Sequence, residues 1–403
     1  MSTTLITNLS EAFTADAAHT VVEHAAILIE GENIAWIGDA GQAPQADAVI
    51  DAAGRAALPG WVDSHSHLVF AGDRSREFVA RMAGQDYAAG GIAVTTQATR
   101  AASDEQLAKL VQARAAEALA GGTTYLETKT GYGLTVQEEA RHARIAATVV
   151  DQVTFLGAHL VPAGMDPQEY TDLVCGDMLE RVRPYVQSAD VFCERGAFNE
   201  SQSRQVLAAA QAAGLGLRVH GNQLGPGPGT QLAVEFGAAS VDHVNFLDAS
   251  DVAALAESWA GWDPQGRTGL AGTVATCLPA CDLSTRMPFA PARELIDAGV
   301  QVALASNCNP GTSYTSSMAF CVSTAVLQMH LSIEEAIVAA TYGGALALGV
   351  QERVGSLEVG KRADIQLLNA PSVAHLAYRP GMNLSGPVFR AGRLAAGQFE
   401  RAK

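Results

Sequence analysis

Between about residue 58 and residue 342, short apolar runs rich in β-branched residues alternate with alanine-rich stretches of helical period. Apolar runs without polar alternation read as strands buried on both faces. Eight such runs occur, at 60–64, 124–128, 153–157, 191–194, 217–219, 240–242, 274–278 and 302–305. Parallel strands with helical crossovers follow from the alternation, and eight is the number that closes a (β/α)8 barrel. Helix starts agree with this. Ser103-Asp104-Glu105-Gln106 opens an Ala/Leu helix that ends at Gly121-Gly122, and Ser332-Ile333-Glu334-Glu335 is a second capping box.

The two ends of the chain have a different texture. Residues 1–56 read as short strands, with 25–30 and 34–38 flanking a Gly31-Glu32-Asn33 turn, and 355–368 returns to strand and turn. Because chain ends often lie close together, the expected organisation is a small β-sandwich domain built from 1–57 and 346–403 beside a barrel domain of 58–345. The polar, Gly-rich segment 262–272, with Pro264, reads as a surface loop before the seventh strand.

Composition narrows the function. Lys and Arg total 26 against 42 Asp and Glu, a net charge of −16. Such a chain repels nucleic acid and anionic membranes, so an anionic substrate needs its own local arginine. The N-terminus lacks the basic and apolar regions of a leader, and no uninterrupted apolar stretch reaches about 18 residues, so a cytoplasmic protein is expected. Six cysteines scattered through apolar segments read as free, buried thiols. Cys277 and Cys281 have neither a second pair nor a sequence-adjacent histidine to complete a zinc knuckle.

The histidines carry the chemistry. His65 and His67 end the first strand one residue apart, so both side chains point to one face, ready to share a cation. Of ten histidines, His65, His67, His159, His220 and His243 fall at the ends of strands one, three, five and six. In a barrel those ends meet at one mouth, where active sites are built.

Val49-Ile50-Asp51-Ala52-Ala53-Gly54-Arg55, Leu58-Pro59-Gly60-Trp61-Val62-Asp63-Ser64-His65-Ser66-His67 and the tail 355–364 together resemble the amidohydrolase superfamily. Within it, Gly72-Asp73-Arg74 with Glu77-Phe78, Gly131-Tyr132-Gly133-Leu134, Thr154-Phe155-Leu156-Gly157-Ala158-His159, Asp190-Val191-Phe192-Cys193-Glu194 and Asn309-Pro310-Gly311 resemble the imidazolonepropionase family of histidine degradation. The resemblance spans nearly the whole chain. It implies a hydrolase that opens 4-imidazolone-5-propionate to N-formimino-glutamate, with one divalent ion, Zn or Fe, held by His65, His67, His220 and position 307. Superfamily members with two metals bridge them through a lysine on strand four, and residues 191–194 contain none. The resemblance further assigns His243 to the attacking water or the attacked carbonyl oxygen. It gives Arg74, Tyr132 and His159, with Tyr87 as a weaker addition, to the ring and its propionate, and implies a homodimer. An Arg fork suits a carboxylate, although an ion pair of Arg74 with Asp73 or Glu77 is its competing use.

One position departs from the resemblance, and a second bears on the same proton transfer. The family pattern carries Asp where this chain has Asn307, which offers a neutral oxygen to a metal but cannot pass a proton to a leaving nitrogen. Gln223 stands where the family carries Glu or Gln, and it can hydrogen-bond the ring without shuttling protons. Three alternatives stay open at this level: an inactivated Asp-to-Asn variant, a relative releasing sulfide from a thio-imidazolone propionate, and a non-catalytic metal- or ligand-binding barrel.

Overall fold

In a computed structural model, which describes residues 2–84 and 91–399, the eight apolar runs form one parallel sheet. Its strands, in chain order, are Trp61–Asp63, Thr123–Lys129, Gln152–Ala158, Ser188–Cys193, Gly216–Gly221, Ser240–His243, Val274–Cys277 and Val302–Leu304. Each pairs in parallel with the next, which requires a crossover connection between successive strands. Closure between strands one and eight is made beyond their ends. Asn307 N–H donates to the His65 carbonyl at 2.9 Å and His67 N–H to the Cys308 carbonyl at 2.9 Å. Asp63, fully buried, adds a side-chain stitch by accepting from the backbone N–H of Ser306 at 3.0 Å.

The crossover helices start where their caps predict. Asp104–Ala120 opens on the Ser103/Gln106 capping box and Ile333–Val338 on the Ser332/Glu335 box, each satisfying two otherwise orphaned N–H groups. Segment 262–272 departs from the expected plain loop. Trp262–Asp263 pairs antiparallel with Thr268–Gly269, because the Asp263 carboxylate accepts from Gln265 and Gly266 N–H and folds the chain back on itself.

Both chain ends share a six-stranded sheet in the order Arg393–Ala396, Ser385–Arg390, Ile365–Leu368, Ala57–Pro59, Glu11–Phe13, Val21–Glu23. A four-stranded sheet of Asn33–Asp39, Ala25–Glu30, Thr3–Thr7 and Ala48–Asp51 accompanies it. Ile6, Ile27, Ile365, Leu367 and Phe389 form the sandwich core of this unit. Gly60 alone separates Ala57–Pro59 from barrel strand one, and its N–H donates to the Asp364 carbonyl at 3.0 Å. The small unit thereby anchors the strand that carries the paired histidines.

Candidate active site and metal centre

His65 and His67 sit in the segment shared by the barrel closure, and His220 comes from strand five. Their ligating nitrogens lie within 4.8 Å of one another, and all three residues are buried. Nε2 of His65 is 3.3 Å from Nε2 of His67, and the ring centroids of His65 and His220 are 4.5 Å apart. His65 Nδ1 is 2.7 Å from Asp242 Oδ2, which fixes the Nδ1–H tautomer and leaves an Nε2 lone pair aimed at the centre. His220 Nδ1 lies 3.0 Å from Asp190 Oδ2, which places that carboxylate beside the ring. Burial, then Lys129 and His220, depresses His65 to about 3, and burial holds His67 well below the ordinary range. Three imidazoles converging on one point, with carboxylates behind His65 and His220, fit a divalent ion.

A small cavity of about 40 Å³ opens over this point. Its walls include Arg74, Tyr132, His159, Gln223, His243 and Asn307, so the sequence-selected residues come together from separate crossovers. Tyr87 lies outside the described residues. His159 Nδ1 is 2.9 Å from the Gly131 carbonyl, a contact that makes Nδ1 the donor and turns Nε2 toward the cavity. Burial pushes His159 down to about 4, which keeps it neutral. The Tyr132 loop is held from behind. The fully buried Glu139 carboxylate accepts from the backbone N–H of Gly131, Gly133 and Leu134 at 3.0, 2.7 and 2.7 Å.

Arg74 reaches the cavity, but Glu77 takes its Nε and Nη2 at 2.8 and 2.6 Å. Of the two uses considered from the sequence, the ion pair is made, with Glu77. The Gly311 backbone lies against the other edge of the fork, where a Cβ would sit 2.3 Å from Nη1. Any side chain there displaces the guanidinium.

His243 and Asn307 adopt φ of 84° and 49°, and Val244 beside His243 has φ of 51°. Left-handed backbone costs on the order of 1–3 kcal/mol for such residues and collects at functional turns. Asn307 Oδ1 accepts from Asn309 Nδ2 at 3.2 Å, and the same Asn309 amide also donates to the Asn307 carbonyl at 2.6 Å and to Thr312 Oγ1 at 2.8 Å.

Several members are not among the sequence-selected residues. Asp190, Asp242, Glu127, Lys129 and Arg218 are all buried inside the barrel, beneath the histidines. Their signal is present in the chain: charged residues inside otherwise apolar barrel strands must find partners across the core. Cys281 also has company that its sequence neighbours lack, with His243 and Asp282 offering ligand atoms within 4.8 Å of its own. Burial raises the Cys281 thiol to about 12, so it sits there as an inert small side chain.

Residues 56–393 match the amidohydrolase family. The chain is 70% identical over 399 residues to the imidazolonepropionase of Paenarthrobacter aurescens strain TC1, covering 97% of this chain and 98% of that protein. It is 65% identical over 400 residues to the imidazolonepropionase of Micrococcus luteus, covering 98% and 100%. The fold is also that of a variant atrazine chlorohydrolase from Arthrobacter aurescens TC1 complexed with zinc and atraton, with a TM-score of 0.74 at 18% identity over 98% of this chain and 95% of that one. A zinc-bound adenosine deaminase from Xanthomonas campestris gives a TM-score of 0.71 at 19% identity over 98% and 93%. With barrel, histidine cluster and near-full-length identity in agreement, the chain belongs to the amidohydrolase family and, within it, to the imidazolonepropionases.

Proposed function

We infer that the chain is a metal-dependent hydrolase that opens the cyclic amide of 4-imidazolone-5-propionate to N-formimino-glutamate in histidine degradation. The observation that carries this reading is the placement of three buried imidazoles beneath a cavity walled by Arg74, Tyr132 and His159. The sulfide-releasing and non-catalytic readings gain no support from the relatives.

His65, His67 and His220 would hold the ion, with Asn307 offering a neutral oxygen beside them. A divalent ion there, Zn or Fe, supplies Lewis acidity and lowers the pKa of water. The rest falls to the chain. Arg74 offers its planar guanidinium to the propionate. Tyr132 and the unprotonated Nε2 of His159 hold the ring, and Gln223 hydrogen-bonds it without exchanging protons. Water oxygen joins the ring carbonyl carbon, the ring C–N bond breaks, and one proton must travel to the departing nitrogen. His243, at the end of strand six and facing the cavity, is the group able to carry it, since Asn307 cannot. A homodimer in the cytoplasm completes the reading.

The test is direct. Protein loaded with Zn²⁺ or Fe²⁺ is mixed with 4-imidazolone-5-propionate while ring absorbance and N-formimino-glutamate are followed. Stoichiometric conversion of one to the other is expected. An intact ring with the metal bound overturns the reading.

A further inference from the structure

Beneath the histidines lies a cluster of charges that the reaction above does not use. Lys129 ends barrel strand two and is fully buried. Its Nζ is 3.1 Å from Glu127 Oε1, 3.0 Å from Asp190 Oδ2 and 3.6 Å from Asp242 Oδ2, and all three partner side chains are 0% exposed. Asp190 and Asp242 are the same carboxylates that back His220 and His65. Arg218 supplies the second buried cation, 3.2 Å from Asp242 and bonded to the Ser64 carbonyl at 2.9 Å.

Two observations mark this as more than an acidic cluster. Asp190, His220 and Asp242 present ligand atoms within 4.8 Å of one another, the spacing of a cation pocket separate from the three-histidine group except for the shared imidazole. Asp190 Oδ2 and His220 Nδ1 are buried without a hydrogen bond of good geometry, so the Asp190 oxygen leans on the nearby ammonium as on a point charge. A lysine is suited to this because its charge is compact and needs no planar match.

We propose that the Lys129 ammonium is a built-in cation filling what would otherwise be a second metal position beneath the His65–His67–His220 site. By occupying it, Lys129 limits the centre to one metal ion and positions the two carboxylates that aim His65 and His220. Electrostatics makes the consequence of its loss definite. Without Lys129, Arg218 alone faces three buried carboxylates, whose excess charge is offset either by proton uptake or by another cation. Where a hard ion such as Mn²⁺ is supplied in excess, the carboxylate oxygens take it in place of the ammonium.

This inference rests on the metal reading of the three histidines, and the experiment separates the two. Wild-type protein, Lys129→Ala and Lys129→Ser are loaded with Zn²⁺, equilibrated with excess Mn²⁺, passed through gel filtration and analysed for both metals, with circular dichroism as the check of folding. Zn²⁺ keeps the nitrogen site because it outcompetes Mn²⁺ there. Expected are one Zn and no Mn per wild-type chain, and one Zn with one Mn in the variants. Wild type holding no Zn defeats the metal reading itself. Wild type retaining Mn beside its Zn, or folded variants retaining Zn alone, overturns the role given to Lys129. Failure of both variants to fold even in Mn²⁺ also overturns it, since the ion would then not replace the ammonium.

Discussion

The backbone N–H of Asn307 donates to the carbonyl of His65 at 2.9 Å, so Asn307 is locked in register with one of the three clustered histidines. Its position is set by the closure of the barrel and not by its side chain. Asn and Asp also tolerate the observed φ of 49° equally well. Exchange of one for the other therefore changes chemistry without moving the backbone. Asn307→Asp introduces an anionic oxygen and a second proton carrier, and kcat for ring opening is expected to rise by about 100-fold. Steady-state kinetics at matched metal content, with an unchanged or lower kcat in the variant, would refute the assignment.

The shared fork of Arg74 leads to a paired expectation. Losing a charge-assisted bond to the propionate costs roughly 1.5–3 kcal/mol, so Arg74→Ala should raise KM about 10- to 100-fold. An imidazolone without the propionate should feel little of this. Equal effects on both rings would show that Arg74 serves Glu77 and not the substrate.

Glu139 touches no substrate, yet three N–H groups of the Tyr132 loop end on its carboxylate. Glu139→Gln turns an amide toward those donors and leaves at least one buried N–H unpaired. A stability loss of about 2 kcal/mol is expected in urea unfolding, together with a raised KM as Tyr132 loses its fixed place. Unchanged midpoint and KM would remove Glu139 from the support of the site.

His142, buried in the helix Val136–Ala146 away from the histidine cluster, sets a pH dependence of stability. Burial, then Arg141 and Arg100, brings its pKa from 6.5 down to about 3, and its Nε2 is 3.7 Å from Glu138. Between those two values the unfolded chain binds a proton at this residue and the folded chain does not. Stability present above pH 6.5 is therefore lost as pH falls toward 3. The slope from this group reaches about 1.4 kcal/mol per pH unit. Denaturant midpoints of His142→Leu should fall less steeply through that window, and parallel curves would contradict it.

Much of the barrel is legible along the chain because its strands are short apolar runs set between stretches of helical period. The eight runs lie within one to three residues of the observed strands. The histidines are legible because strand ends of a barrel must share a mouth. The Arg74–Glu77 pair is legible from its i, i+3 spacing. What lies beneath is harder to read. The pairing of Lys129 with Asp190 and Asp242 depends on which residues of strands two, four and six stand at the same height inside the barrel. Strand stagger decides that, and no local pattern reports it. The hairpin at Trp262–Asp263 is missed for a different reason: its strands are two residues long, and only the Asp263 side chain turns the loop into one.

The pairing of Ala57–Pro59 with Ile365–Leu368 ties the segment just ahead of His65 to a strand near the other end of the chain. The bonds that close the barrel join His65 to Asn307 and His67 to Cys308. Both sets of contacts are long in sequence, and ordering a chain around such contacts is slow. During synthesis, therefore, the paired histidines emerge early but acquire their neighbours only when translation is almost finished. The nascent chain offers no assembled histidine cluster for most of its time on the ribosome, so an ion held by that cluster would be acquired late in maturation.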